Sequence, residues 1–353
     1  MRFCFVVSVL IIVLGCGNKD GAAKVKAEDF SSKSSARSEL DVFETAGYWS
    51  QLNEVLTPGN KTNHTTTLSY AYWGLKGHNL LVEMEIKSGQ NKKYNLVVKN
   101  YNELASENPY QCVWFQDDGL VQGFAGSWDA NTAELQWHLS YPKDAQDIRF
   151  NMTESFPKPS EKSFSYKILE KEQLVSQGSS KGRYIGDTLG SSTAIAVPIP
   201  EMARLGRAGV WEESQEINHP NGTVKLSGQS RMRWTRSGRA LINEGVIFTK
   251  GKPDYYMWIK TWDAVARHYG YVYFFEDGPI HYFIGDWKPE EEAIVWRCMQ
   301  PDSAILIKES LKQSGRRDWT FTVNMPALTC RPCSQPTVNA TKTWWIIGRM
   351  RVS

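Results

Sequence analysis

Two acid–base pairs recur along this chain. Glu83 and Lys99 return as Glu244 and Lys260, each 161 residues further on. A carboxylate and an amine on neighbouring strands, held among aromatic rings away from water, could orient the polar end of a ligand or set a pKa for proton transfer. Side chains two apart on a strand point the same way, so Lys260 shares a face with Trp258 and Trp262, and Glu83 shares one with Glu85. The plainer reading makes each pair a cross-strand ion pair on an outer surface, and the rarity of buried charge favours it. Trp128 and Trp287 stand in the repeated Gly126-Ser127-Trp128 and Gly285-Asp286-Trp287, followed by Trp137 and Trp296. These rings could line a cavity, although side chains of this size serve first to fill a core.

Other chemistry finds little support. The six histidines (His64, His78, His138, His219, His268, His281) show no metal-like spacing, so neither a metal nor a cofactor is expected. No nucleophile elbow, P-loop or dinucleotide fingerprint occurs, which leaves no enzyme class to name. Cys330-Arg331-Pro332-Cys333 permits a redox pair, half a zinc site or a loop staple. In an oxidising compartment the disulfide staple is the favoured reading.

The elements that would position these residues are strands. Runs of alternating apolar and polar residues are broken by Gly, Pro, Asn and Asp at short intervals, as an antiparallel meander requires. Landmarks repeat in order: Trp73, Gly77, Leu80 and Glu83 against Trp234, Gly238, Leu241 and Glu244, then Glu154-Ser155 against Glu309-Ser310. Repetition at a fixed offset predicts a duplicated module. A sheet manages its edges by closing on itself, so the expected fold is all-β: two tandem up-and-down antiparallel β-barrels of about eight to ten strands each. A short helix is expected before each barrel, at Ser38–Phe43 and Pro200–Leu205, plugging one end; Pro at a first helical position is a start signal.

Gly47-Tyr48-Trp49 and Gly209-Val210-Trp211 after a short helix, then a Gly-containing hairpin and a late Gly-x-Trp, resemble the lipocalin (calycin) pattern. They resemble more closely an uncharacterised bacterial family of lipocalin-like secreted domains of unknown function. The resemblance implies a barrel with an internal cavity and carries no activity with it.

The first residues, Met1-Arg2-Phe3 and an apolar run from Cys4 to Leu14, have the form of a secretory signal. Val13-Leu14-Gly15-Cys16 resembles the bacterial lipobox, which implies lipidation of Cys16 and a membrane-anchored lipoprotein of the cell envelope. The expected organisation is therefore a signal at 1–15, a flexible tether at 16–37, barrels at 38–190 and 198–353, and a linker at 191–197. A net charge of +3, mixed in sign along the chain, offers no basic stripe and argues against a nucleic-acid partner. The function expected from these readings is binding of a small, largely apolar molecule by an exported, lipid-anchored protein. A barrel-based hydrolase or isomerase using the Glu/Lys pairs, and a structural protein with filled barrels, are the alternatives.

Overall fold

A computed structural model describes residues 38–57, 61–142, 147–187, 197–206, 208–219, 222–249, 251–276, 280–299, 306–310, 318–325 and 344–352. Residues 1–37, with Cys16, and the Cys330/Cys333 pair lie outside the described residues, as does most of the expected linker.

The first half is a meander of ten strands: β1 (Gly47–Thr57), β2 (Lys61–Gly74), β3 (Asn79–Ser88), β4 (Asn91–Tyr101), β5 (Tyr110–Phe115), β6 (Val121–Asp129), β7 (Glu134–Tyr141), β8 (Ile148–Lys158), β9 (Glu161–Glu170) and β10 (Gln173–Gly186). Each strand pairs with its neighbour in sequence, and β1 pairs with β10 to close a barrel. The second sheet begins with seven strands, β11 (Gly209–His219), β12 (Gly222–Trp234), β13 (Ala240–Thr249), β14 (Lys252–Asp263), β15 (His268–Phe275), β16 (His281–Lys288) and β17 (Ala293–Cys298). It continues through β18 (Leu306–Ser310), β19 (Asp318–Met325) and β20 (Trp344–Val352), which returns to pair with β11 and completes the ring of pairings.

The expected architecture, two tandem lipocalin-like barrels each led by a helix, is corrected in two respects. Among the described residues helix is almost absent: the segment before β1 is a five-residue 3-10 turn, Ser38–Val42, and that before β11 is a four-residue helix, α1 (Pro200–Ala203). Segments this short have no room to establish a helical hydrogen-bond ladder and are held by the side chains they insert. Leu40 and Phe43 enter the core of the first barrel, and Met202 and Leu205 that of the second sheet.

The second correction concerns independence. A third apolar cluster is built from the outer faces of both sheets: Leu81, Leu96, Val98, Val113 and Phe115 of the first barrel pack with Ile242, Met257, Ile259, Val272 and Phe274 of the second sheet. The reason is written in the strands. Leu80-Leu81-Val82 and Leu241-Ile242 are apolar on consecutive positions, so both faces of the strand are buried, one in the interior and one in the seam. The two sheets therefore form one packed body, joined along a seam that a reading of two tandem barrels does not foresee. Contact is close enough that Gly119, at φ +92°, has no space for a side chain: an added Cβ would lie 1.8 Å from the carbonyl oxygen of Trp262. Beside it Ala264 donates its backbone N–H to the Asp118 carbonyl at 2.9 Å.

Candidate functional site

Alternation along β4 sends Val97 and Lys99 into the first barrel and Leu96 and Val98 into the seam. Lys99 is 2% exposed and lies between two carboxylates. It donates to Glu154 on β8 at 2.9 Å and makes a short hydrogen bond to Glu44, which follows the 3-10 turn. Glu44 also accepts from Lys162 on β9 at 3.1 Å, and Trp137 on β7 donates its indole N–H to Glu154 at 3.0 Å. Lys162 lies 4.8 Å above the Trp49 ring, and the Phe43 and Phe156 rings flank Lys99 at 5.6 and 5.7 Å. The result is a closed polar base of two cations and two anions. Burial alone would raise the Glu44 pKa, but Lys162 and Lys99 together bring it down to about 2. Burial likewise works against the charge on Lys99, and Glu154 and Glu44 outweigh it, so its pKa rises.

The second sheet repeats part of this arrangement. Lys260 on β14 reaches both oxygens of Glu309 on β18, at 2.6 and 2.7 Å, and Trp296 on β17 donates to the same carboxylate at 2.8 Å. The amine lies over Trp258 at 4.3 Å, with Tyr271 and Trp296 slightly further away. Among the described residues one carboxylate, Glu309, contacts Lys260; burial dominates and its pKa falls, opposite in direction to that of Lys99. Nearby, the Tyr256 hydroxyl lies 2.5 Å from both oxygens of the buried Glu213.

Lys99 and Lys260 are thus interior residues, but their partners are Glu154 and Glu309. Spacing had aligned those two glutamates without singling them out as site residues. Glu44 was missed altogether, since Gly206 stands at the corresponding place after α1.

Glu83 and Glu244 point the other way, into the seam. Glu83 accepts from the Tyr72 hydroxyl and from the backbone N–H of Arg236, both at 2.9 Å. Glu244 accepts the backbone N–H of Leu75, also at 2.9 Å. Arg233 lies between the two carboxylates, 3.4 Å from Glu83 and 3.9 Å from Glu244, and donates to the Tyr72 hydroxyl at 2.7 Å. Burial raises the Glu244 pKa, and Arg233 offsets this only in part. Further along the seam His78 pairs with Glu276 at 3.2 Å and Arg239 approaches Asp117 at 3.8 Å. A groove of about 270 Å³ opens there between Tyr70 and Tyr94 of the first barrel and Arg236, Ser237 and Arg239 of the second sheet.

Above its polar base the first barrel carries a second feature. Trp114 on β5 and Phe164 on β9 meet edge to face at 6.4 Å. Their strands are not neighbours in the sheet, so the rings meet across the lumen. Both are only partly buried, as are Met84 and Tyr166 of the same cluster. Three fully buried polar atoms, at separate inward-facing positions of β1, β2 and β5, lack partners: Gln51 Oε1, Ser69 Oγ and Trp114 Nε1. Trp128 and Trp287 are partly buried against the two interior clusters, and Arg204 sits over the Trp287 ring at 5.6 Å. Trp258 is buried beside Lys260. Among the described residues no group of three or more His, Cys, Asp or Glu is placed to hold a metal ion.

No protein-family model and no curated protein matches the sequence. Among solved structures, the S-type phycobiliprotein lyase CPES from Guillardia theta is 9% identical at a TM-score of 0.31, covering 44% of this chain and 97% of that one. A protein of unknown function of the DUF3598 family from Nostoc punctiforme is 8% identical at a TM-score of 0.26, covering 90% of this chain and all of its own. Kievitone hydratase from Nectria haematococca is 7% identical at a TM-score of 0.19, covering 92% and 98% of the two chains. Overlaps this loose speak to neither activity nor ligand.

Proposed function

We propose that the protein is an exported, lipid-anchored binding protein whose first barrel takes a small, largely apolar molecule. The observation that carries this reading is the Trp114–Phe164 contact across the lumen, made by two partly exposed rings above a closed polar base. Partly buried rings of this kind leave apolar surface that a ligand can cover. Export and anchoring are supported by the apolar run from Cys4 to Leu14 and by Cys16 after it. The geometry does not assemble the Glu83/Lys99 or Glu244/Lys260 pairs that an acid–base enzyme would need. Of the carboxylates that do meet these lysines, Glu154 is also committed to Trp137 and Glu309 to Trp296.

Native mass spectrometry of the purified full chain, with extraction of any retained small molecule, tests the reading. A retained apolar species that protects Trp114 from acrylamide quenching is the expected result. No retained species, together with a Trp114 signal indifferent to every apolar compound offered, would sink it. For the anchor, Cys16→Ser should release the protein from membranes, and continued membrane association would count against lipidation.

A further inference from the structure

We propose that the groove between the two sheets binds a small aromatic carboxylate, with Arg236 and Arg239 meeting the acid and Tyr94 its ring. The site is separate from the lumen of the first barrel and does not depend on it.

The seam departs from its own repeat where the groove lies. Tyr94 and Tyr255 correspond at the 161-residue offset, and so do Lys76 and Ser237. Lys76 reaches across the seam and lies 4.1 Å above the Tyr255 ring, which is 7% exposed. At the matching place the Ser237 side chain ends at its hydroxyl, and Tyr94 is only partly buried. Both line the groove, so the space of about 270 Å³ lies at the place that Lys76 takes in the repeat. This is the small end of the range for ligand sites and suits a single-ring molecule. Leu96 and Phe115 add apolar lining beside Tyr94.

Charge decides what the ring carries. Glu83 and Glu85 also line the groove, but both are answered. Glu83 is held by Tyr72, Arg233 and the Arg236 backbone N–H, and Glu85 by Lys87 at 3.0 Å and Lys92 at 3.4 Å. Arg236 lies over the Tyr48 and Tyr70 rings at 5.4 and 4.8 Å and donates one N–H to the Tyr48 hydroxyl at 2.7 Å. Among the described residues its guanidinium forms no ion pair with a carboxylate, so a permanently charged group keeps donors for an incoming anion. Arg239 stands 3.8 Å from Asp117, beyond hydrogen-bond reach, with its side chain 42% exposed. A guanidinium takes a carboxylate through two parallel N–H donors, which neither an amide nor an ammonium can match.

Ligand-observed NMR titration of the full chain with benzoate, benzamide and benzylammonium tests the assignment. Benzoate should bind at least ~10-fold tighter than benzamide, which has its shape without its charge, and benzylammonium should not compete. Ser237→Met, which sets an unbranched neutral side chain against Tyr94 as Lys76 is set against Tyr255, should abolish benzoate binding. Arg236→Gln should weaken it at least ~10-fold, and Arg239→Gln, at a half-exposed position that folding tolerates, about 3-fold. Benzamide bound as well as benzoate, or benzylammonium bound in preference, overturns the inference. Benzoate binding unchanged by both Ser237→Met and Arg239→Gln also overturns it, since the acid then sits elsewhere, the lumen included. No binding of benzoate overturns it too and leaves the reading of the first barrel untouched.

Discussion

Glu83 takes the backbone N–H of Arg236, at 2.9 Å, from the opposite sheet. Glu244 takes that of Leu75 in return, and each donor and acceptor stands 161 residues from its counterpart. The contact is reciprocal, as an isologous interface is. Arg233 between the two carboxylates is its electrostatic centre, so Arg233→Met should cost ~3–5 kcal/mol by leaving two carboxylates in an apolar seam. Adding Glu83→Gln and Glu244→Gln should recover part of that loss. Urea unfolding of the three variants checks this, and an additive series would show that the residues do not act together.

Glu44 links Lys99 to Lys162 and should govern acid stability. Its folded pKa of about 2 lies below the ordinary 4.5, so its contribution is complete above pH 4.5 and is lost as pH falls from 4.5 towards 2. The difference corresponds to about 3 kcal/mol. Glu44→Gln should therefore lower stability at neutral pH and flatten the acid limb of the stability–pH curve. An unchanged acid limb would place the titrating group elsewhere.

The two interior lysines should respond differently to removal. Lys99→Met takes a cation from both Glu44 and Glu154, leaving Glu44 to Lys162, whereas Lys260→Met takes one from Glu309 only. The first substitution should cost ~3–5 kcal/mol and the second less, with Lys260→Met plus Glu309→Leu approaching the parent. Thermal unfolding of all three variants gives the comparison, and equal losses at Lys99 and Lys260 would contradict it.

Gly119→Ala probes the seam directly. The new methyl group would meet the Trp262 carbonyl at a left-handed backbone position, and neither side has a flexible atom to yield. A loss above ~2 kcal/mol is expected, from strain and separation of the sheets. Hydrogen exchange should quicken first at Ala264, whose amide is bonded to Asp118.

Strands, hairpins and the recurrence of Lys99 and Lys260 were legible in the sequence because they depend on local alternation and on spacing, although the rarity of buried charge favoured an outer surface for those lysines. The partners of those lysines were not. Spacing says which side chains share a strand face but not which face turns inward, and here both faces are apolar because a second sheet covers the outer one. Leu81 and Leu96 look like core beside Glu83 and belong to the seam. Glu44 had no recurring counterpart to mark it. The helical turns were overread from start signals such as Pro200, which mark where a helix can begin but not how far it runs; Leu40, Phe43, Met202 and Leu205 serve instead as plugs on short turns.

A chain is made, or threaded through a membrane, from its N-terminus. Phe115 is therefore in place long before Phe274, its neighbour in the seam cluster, and at roughly 5–20 residues per second the interval is on the order of ten seconds. Throughout it the first barrel can close but shows Leu81, Leu96, Val98, Val113 and Phe115 to its surroundings. If the first barrel closes in that interval, the order of synthesis leaves it with an adhesive flank until β13–β15 arrive to cover it.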